Sequence, residues 1–121
     1  MQSSVLLGEY MEKKVVFLVS SSPFGTLNNY EALRASIAFI NHKISIIWKD
    51  EGVNFPLKSV DKTMTKTFLR LAEDMGVDLY VSEEDVSKIN LAHLKLEDGI
   101  KKIGRDAMID TIRDAEIVIT F

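Results

Sequence analysis

Residues 14–39, KVVFLVSSSPFGTLNNYEALRASIAF, decide how this chain is read. Lys14 to Val19 is β-branched and aromatic with no polar alternation, the pattern of a strand covered on both faces. The run ends in serines, a proline and a glycine, and a helical spacing then begins. Tyr30, Leu33, Ile37 and Ile40, with Ala38 beside them, recur at intervals of three and four, which sets them on one helical face. Asn28 or Asn29 is suited to cap that helix by accepting from its free amides.

The pattern repeats outward from there. Ile44–Trp48 reads as a second strand, reached through a short turn at 41–43. Lys49–Leu57, KDEGVNFPL, is a loop punctuated by Gly52 and Pro56. Ser59 is expected to cap a second helix with Val60, Met64, Phe68, Leu71 and Met75 on its apolar stripe, ended by Gly76. Val77–Val81 is a third strand. Ser82 can cap a short helix whose positive end suits Glu83, Glu84 and Asp85. AHLKL, residues 92–96, is a fourth short strand or an extended link. Gly104 precedes a last helix over 105–115, with Ala107, Met108 and Ile112 inward, and EIVITF closes as a strand. Strand and helix alternate throughout, which predicts a single three-layer α/β/α domain with a mostly parallel sheet of four to five strands.

Composition narrows the function classes. The 121 residues suffice for one core, and 46% hydrophobic with 27% charged residues is ordinary for a globular domain. A formal charge of −3 gives no electrostatic reason for direct nucleic-acid or anionic-membrane binding. With no cysteine there is neither disulfide nor thiol chemistry, which is compatible with a cytoplasmic location. No apolar run has the length of a membrane span, and the N-terminus lacks the features of a signal peptide. Residues 1–12 read as an N-terminal extension, disordered or docking on a partner, ahead of a domain over 13–121.

In such folds ligands collect at the carboxyl ends of strands. The first loop offers Ser21, Ser22, Thr26 and Asn28 as polar groups, Gly25 as a point of close approach, and Phe24 as a contact residue. Helix amides behind it favour an anion. It is neither a P-loop, since the lysine ending is missing, nor a dinucleotide fingerprint, since there is one glycine. A plain turn into a helix is the simpler reading, with a ligand or partner contact second. Asp50 and Glu51 in the next loop read as solvated turn, with Gly52 beside them. His42 and His93 are far apart with no carboxylate at ligand spacing, so no metal and no cofactor is implied. No G-x-S-x-G elbow surrounds Ser22 or Ser82, which leaves a serine hydrolase poorly supported.

VVFLVSSSPFGTLNNYEALRASIAF, KDEGVNFPL, DLYVSEEDV and the terminal DAEIVITF, in that order and spacing, resemble the DsrE/DsrF-like family, nearest to its DsrF or TusC type of subunit. The resemblance spans about residues 13–121. It implies a subunit of a sulfur-relay complex, in which persulfide sulfur passes between proteins for tRNA thiolation or sulfur oxidation. Such assemblies are hexamers of related subunits or of one, so the implied partners are DsrE- and DsrH-type (TusD- and TusB-type) chains or further copies of this one. The carrier subunit holds sulfur on a cysteine just after its third strand. The matching position here is Ser82, whose hydroxyl neither ionises near neutral pH nor exchanges S–S bonds. The implied role is therefore a non-catalytic, non-carrier subunit that shapes a partner's persulfide site. The alternative from the serine loop alone is a homo-oligomeric module binding a small anion or nucleotide. A chain with few helices and an uncovered terminal strand is expected to be oligomeric, with the first helix and the 50–57 loop among its contacts.

Overall fold

The computed structural model describes residues 12–39, 41–89 and 95–121. Five strands form one sheet: β1 (Lys14–Val19), β2 (Lys43–Trp48), β3 (Asp78–Ser82), β4 (Ile100–Ile103) and β5 (Ile117–Thr120). Their order across the sheet is β4-β3-β2-β1-β5, and every neighbouring pair is parallel. The helices are α1 (Asn28–Ala38), α2 (Lys66–Asp74), the short α3 (Glu83–Ser87) and α4 (Arg105–Asp114), with a 3-10 turn over Asp50–Asn54.

Residues alternate between faces along a strand, so each central strand contributes to two cores. Val15, Phe17, Val19, Ile44, Ile46, Trp48, Leu79 and Val81 face α1 and α2 and meet Ala32, Leu33, Leu69 and Ala72. Tyr30 and Phe68 join the two helices edge to face, with centroids 5.4 Å apart. The other face has a smaller core of Val16, Ile47 and Ile103, against which Met108, Ile112 and Ala115 pack. The three-layer α/β/α domain is thus present, with five strands, all parallel.

Several local expectations give way to tertiary bonds. The first helix is not capped by an asparagine: Leu27 holds the cap position, with no side-chain bond. Asn29 is instead buried, accepting from the Trp48 indole N–H at 2.7 Å, and Asn28 donates to Ser21 Oγ at 2.8 Å. Ile40 lies outside the described residues.

The second helix begins at Lys66, not after Ser59. Asp61 accepts from the Thr63 amide at 2.9 Å, and the buried Lys62 Nζ donates to the carbonyls of Leu57 at 2.6 Å and Val60 at 3.3 Å. Such side-chain bonds to backbone compete with the helical ladder. The inward face is Leu69 and Ala72, with Phe68 of the expected stripe also packed against the core, while Met64, Leu71 and Met75 from that stripe are exposed.

Among the described residues the fourth strand is Ile100–Ile103, a stretch not singled out as a strand in the sequence. Leu96 forms only an isolated antiparallel bridge with Leu57, and 92–94 fall outside the described residues. In α4, Met108 and Ile112 turn inward as expected, but Ala107 is exposed. That helix touches the sheet through one narrow stripe spaced at four and three, and position 107 lies about 100° away from it. Gly76, at φ +84 just past α2, ends that helix as expected.

Candidate functional site

The strand ends carrying the candidate residues lie side by side at one edge of the sheet. Val19, Trp48 and Val81 are in register across β1, β2 and β3. At a strand spacing of about 4.8 Å, the serine loop after β1 and position 82 after β3 are separated by about 10 Å, with the β2 loop between them.

The serine loop satisfies itself. Ser22 Oγ accepts from the Phe24 amide at 3.1 Å, Thr26 Oγ1 donates to the Ser22 carbonyl at 3.0 Å, and Ser21 Oγ takes the Asn28 amide. Gly25 turns the chain at φ +81 with open space around it. Phe24 projects outward, 66% exposed. Ser21, Ser22, Gly25, Thr26 and Asn28 are therefore brought together as a hydrogen-bonded turn, with Phe24 as its outward side chain.

Gly52 has a different task. A Cβ there would lie 2.1 Å from the Val19 carbonyl oxygen, so only glycine lets the 3-10 turn seat on the end of β1. The same carbonyl accepts from the Lys49 amide at 3.0 Å, which ties the β2 loop to the first strand. Glu51 is exposed beside it and makes no ion pair among the described residues. Most of the following loop turns inward: Val53, Phe55, Pro56 and Leu57 are buried, and Phe55 stacks on Trp48 with centroids 5.3 Å apart.

Ser82 closes β3 with 2% of its surface exposed. Its hydroxyl accepts from the Asp85 amide at 3.3 Å and caps α3, as its sequence setting predicts. Asp85 then bridges to the β2 loop, its Oδ2 accepting from the Asp50 amide at 2.8 Å. That bond fixes Asp50 at φ +50, a left-handed conformation that aspartate tolerates better than most residues. The Asp50 amide above all, with Ser82 and Lys88 adding to it, holds the Asp85 carboxyl below its ordinary pKa against the opposing effect of partial burial.

The edge is predominantly acidic. Asp50, Glu51, Glu83, Glu84 and Asp85 stand against Lys49, paired to Asp50 at 3.2 Å, and Lys88, paired to Asp85 at 3.5 Å. Like charge disfavours an anion there. Nor is a base at hand for a serine nucleophile: His42 sits just before β2, at the opposite end of the sheet, accepting from the Lys13 amide at 3.2 Å. His93 lies outside the described residues. Among the described residues no cluster of three or more His, Asp or Glu is placed to hold a metal, and no helix is long and apolar enough to cross a membrane.

Sequence reasoning missed two features beside this edge. Asp85 is the hinge between two loops, although only its place in an acidic first turn marked it. Lys62 is the other: it is buried against the Phe55 ring at 5.0 Å and paired to Glu97 at 3.2 Å. Burial pushes its ammonium pKa down, with Glu97 opposing. All three of its protons are directed at partners, two carbonyls and that carboxylate, which makes it a clamp on the 57–65 segment. No motif signals it, since its partners are distant in sequence or backbone.

Comparison with known proteins follows this geometry. The crystal structure of the YchN protein from E. coli superposes with a TM-score of 0.77 at 19% identity, covering 92% of this chain and 100% of that one. At that identity the likeness concerns the fold. Among curated proteins none matches the sequence. A family model described as DsrE/DsrF-like matches residues 13–121, nearly the whole chain and every strand and loop of the edge just described. The chain belongs to the DsrE/DsrF-like family.

Proposed function

We propose that this chain is a non-carrier subunit of a sulfur-relay assembly of the DsrF or TusC type, working by association and by shaping a partner's persulfide site. The observation that carries the reading is position 82. Where the family's carriers place cysteine, this chain has a serine that is 2% exposed and bonded to the Asp85 amide. Carrying sulfur requires a thiolate that can reach a donor and exchange S–S bonds. Ser82 has neither the element nor the access. It serves as a helix cap that holds the acidic edge in shape.

The edge also presents what a docking partner would use. Phe24 and Leu27, 66% and 56% exposed, stand on the serine loop and just before α1, at the same end of the sheet as the loop that carries the exposed Glu51. An apolar pair flanked by acids is suited to a complementary subunit rather than to a small anion. The assembly acts in the cytoplasm, and the chain itself is not an enzyme.

Native mass spectrometry of this chain mixed with a cysteine-bearing family subunit tests the reading. The expected result is a mixed oligomer that Phe24→Asp weakens at least about tenfold, equivalent to about 1.4 kcal/mol. No mixed species at micromolar concentration with any cysteine-bearing subunit of the source genome would overturn it.

A further inference from the structure

Two buried polar side chains on the α1 and α2 side of the sheet carry groups that the fold does not use. The Trp48 indole N–H, which can only donate, meets Asn29 at 2.7 Å. The atom it meets is therefore the amide oxygen, and the nitrogen Nδ2 is the other limb of the fork. Among the described residues Nδ2 has no acceptor, although Asn29 is only 3% exposed. Thr65 holds the cap position of α2, where a threonine hydroxyl ordinarily accepts from an amide of the first turn, yet it makes no such bond. Its backbone is engaged, the amide donating to the Lys62 carbonyl at 3.0 Å and the carbonyl accepting from the Leu69 amide at 2.9 Å. Its hydroxyl is buried without a partner among the described residues, on a residue 7% exposed. Buried polar groups left so are rare in folded proteins, and each asks for a reason.

Both residues line one cavity of about 170 Å3, between the start of α1 and the 61–65 segment. A cavity of about 150 Å3 is enough to hold a benzene ring. Tyr30 and Phe55 form aromatic parts of its wall, and each is fixed by a second ring, Tyr30 by Phe68 and Phe55 by its stack on Trp48. Asp61 lies on the same cavity. Bonds from the Thr63 hydroxyl and amide hold its carboxyl below the ordinary pKa, so it is ionised at neutral pH. Leu27 and Met64 also line the cavity and are 56% and 65% exposed, which sets them at its mouth. The Asn29 nitrogen and the Thr65 hydroxyl lie below the reach of bulk water, so a ligand enters as Met64, unbranched and with three rotatable bonds, turns aside.

We propose that this cavity binds a small neutral primary carboxamide, whose oxygen accepts from Asn29 Nδ2 and Thr65 Oγ1 and whose nitrogen donates to Asp61. The functional group follows from the three partners. Two unused donors share one cavity, and a ligand oxygen relieves both at once. The Asp61 carboxylate repels an acid but accepts from an amide N–H. An apolar body of a few carbons suits the aromatic walls and the volume. The site is independent of the sulfur-relay reading, since it uses neither position 82 nor the acidic edge, and it is complete within one chain.

The test is an NMR titration of the full chain with isobutyramide, isobutyrate and isopropyl methyl ketone, three molecules of one shape that present an amide, an acid and a ketone. Isobutyramide is expected to shift the Asn29 side-chain amide pair and the Trp48 indole N–H saturably, with a Kd of about 1–10 mM for so small a ligand. Isobutyrate, repelled by Asp61, and the ketone, which has nothing to donate, are expected to bind at least about tenfold more weakly. Thr65→Val keeps the shape and removes a hydroxyl that bonds to nothing among the described residues, so it is expected to fold; it should weaken isobutyramide at least about tenfold, and Thr65→Ser should restore it. The comparison of the three probes on the wild-type chain stands whatever the stability of the variants. No saturable shift up to about 100 mM isobutyramide, the behaviour of a floor satisfied by water alone, overturns the proposal. Equal binding of the acid or the ketone overturns it too, as does a folded Thr65→Val chain that binds isobutyramide like the wild type.

Discussion

Replacing Gly52 by alanine probes the joint between β1 and the β2 loop. The added Cβ would lie 2.1 Å from the Val19 carbonyl oxygen and 2.9 Å from its carbon. Ordinary contact begins at 3.4 Å, so oxygen and methyl must part by 3.4 minus 2.1, or 1.3 Å. Both are main-chain positions in buried surroundings and neither has a rotamer to change. Forcing them apart costs about 1–3 kcal/mol by analogy with overpacked cores. The same carbonyl would lose its bond from the Lys49 amide, 3.0 Å long, and an unpaired buried acceptor adds about 1–3 kcal/mol. A total of about 2–6 kcal/mol is a large part of the roughly 5–15 kcal/mol typical of a domain. Urea unfolding followed by far-UV circular dichroism reads it directly. Gly104→Ala is the control, because a Cβ there meets nothing within 4 Å and its φ is −73, and it is expected to change stability by less than about 0.5 kcal/mol. A Gly52→Ala protein no less stable than Gly104→Ala would refute the reasoning.

Other outcomes follow from the same structure. Lys62→Met removes the ammonium from the carbonyls of Leu57, which keeps its bond from the Val60 amide, and of Val60, leaves the Glu97 carboxylate without its ion-pair partner, and is expected to cost about 2–3 kcal/mol at neutral pH by urea titration. Because burial lowers the folded pKa of Lys62, the unfolded chain binds more protons between the folded and the ordinary value; wild-type stability relative to Lys62→Met should rise with pH across that window and be flat below it. Asp85 runs the other way: its folded pKa is lowered, so its contribution is present above the ordinary carboxylate value and lost as pH falls through the folded one, and Asp85→Asn should flatten the acid limb of the stability curve. Ser82→Ala should cost about 1 kcal/mol through the lost cap, and the thiol of Ser82→Cys should resist an aqueous thiol reagent in the native protein while reacting fully in urea.

What the sequence made legible follows the reach of the forces involved. β1, β2 and β3 were readable because a buried parallel strand is a continuous apolar run, and Val15–Val19 or Ile44–Trp48 admit little else. Gly76 and Ser82 were readable as helix ends because capping is local. β4 was not: Ile-Lys-Lys-Ile has charges in its middle, since an edge strand is covered on fewer sides. The start of α2 was misplaced for a related reason. Ser59 and the spacing of Val60 and Met64 argue for helix, but Lys62 is drawn inward by Glu97, 35 residues further along the chain, and the backbone follows. Asn29 likewise reads as a cap and is instead held by Trp48, a partner 19 positions away. At the candidate site, the turn in the serine loop and the cap at position 82 were local and legible. The bridge from Asp85 to the Asp50 amide joins two loops and was not.

The most direct test of the central reading follows sulfur itself. This chain, a cysteine-bearing family subunit and a cysteine desulfurase are incubated with 35S-labelled cysteine, and the subunits are separated under non-reducing conditions. The non-carrier reading predicts label on the partner alone, with onward transfer from that partner faster when this chain is present than when it is omitted. A stable labelled adduct on this chain, or a transfer rate indifferent to its presence, would contradict it.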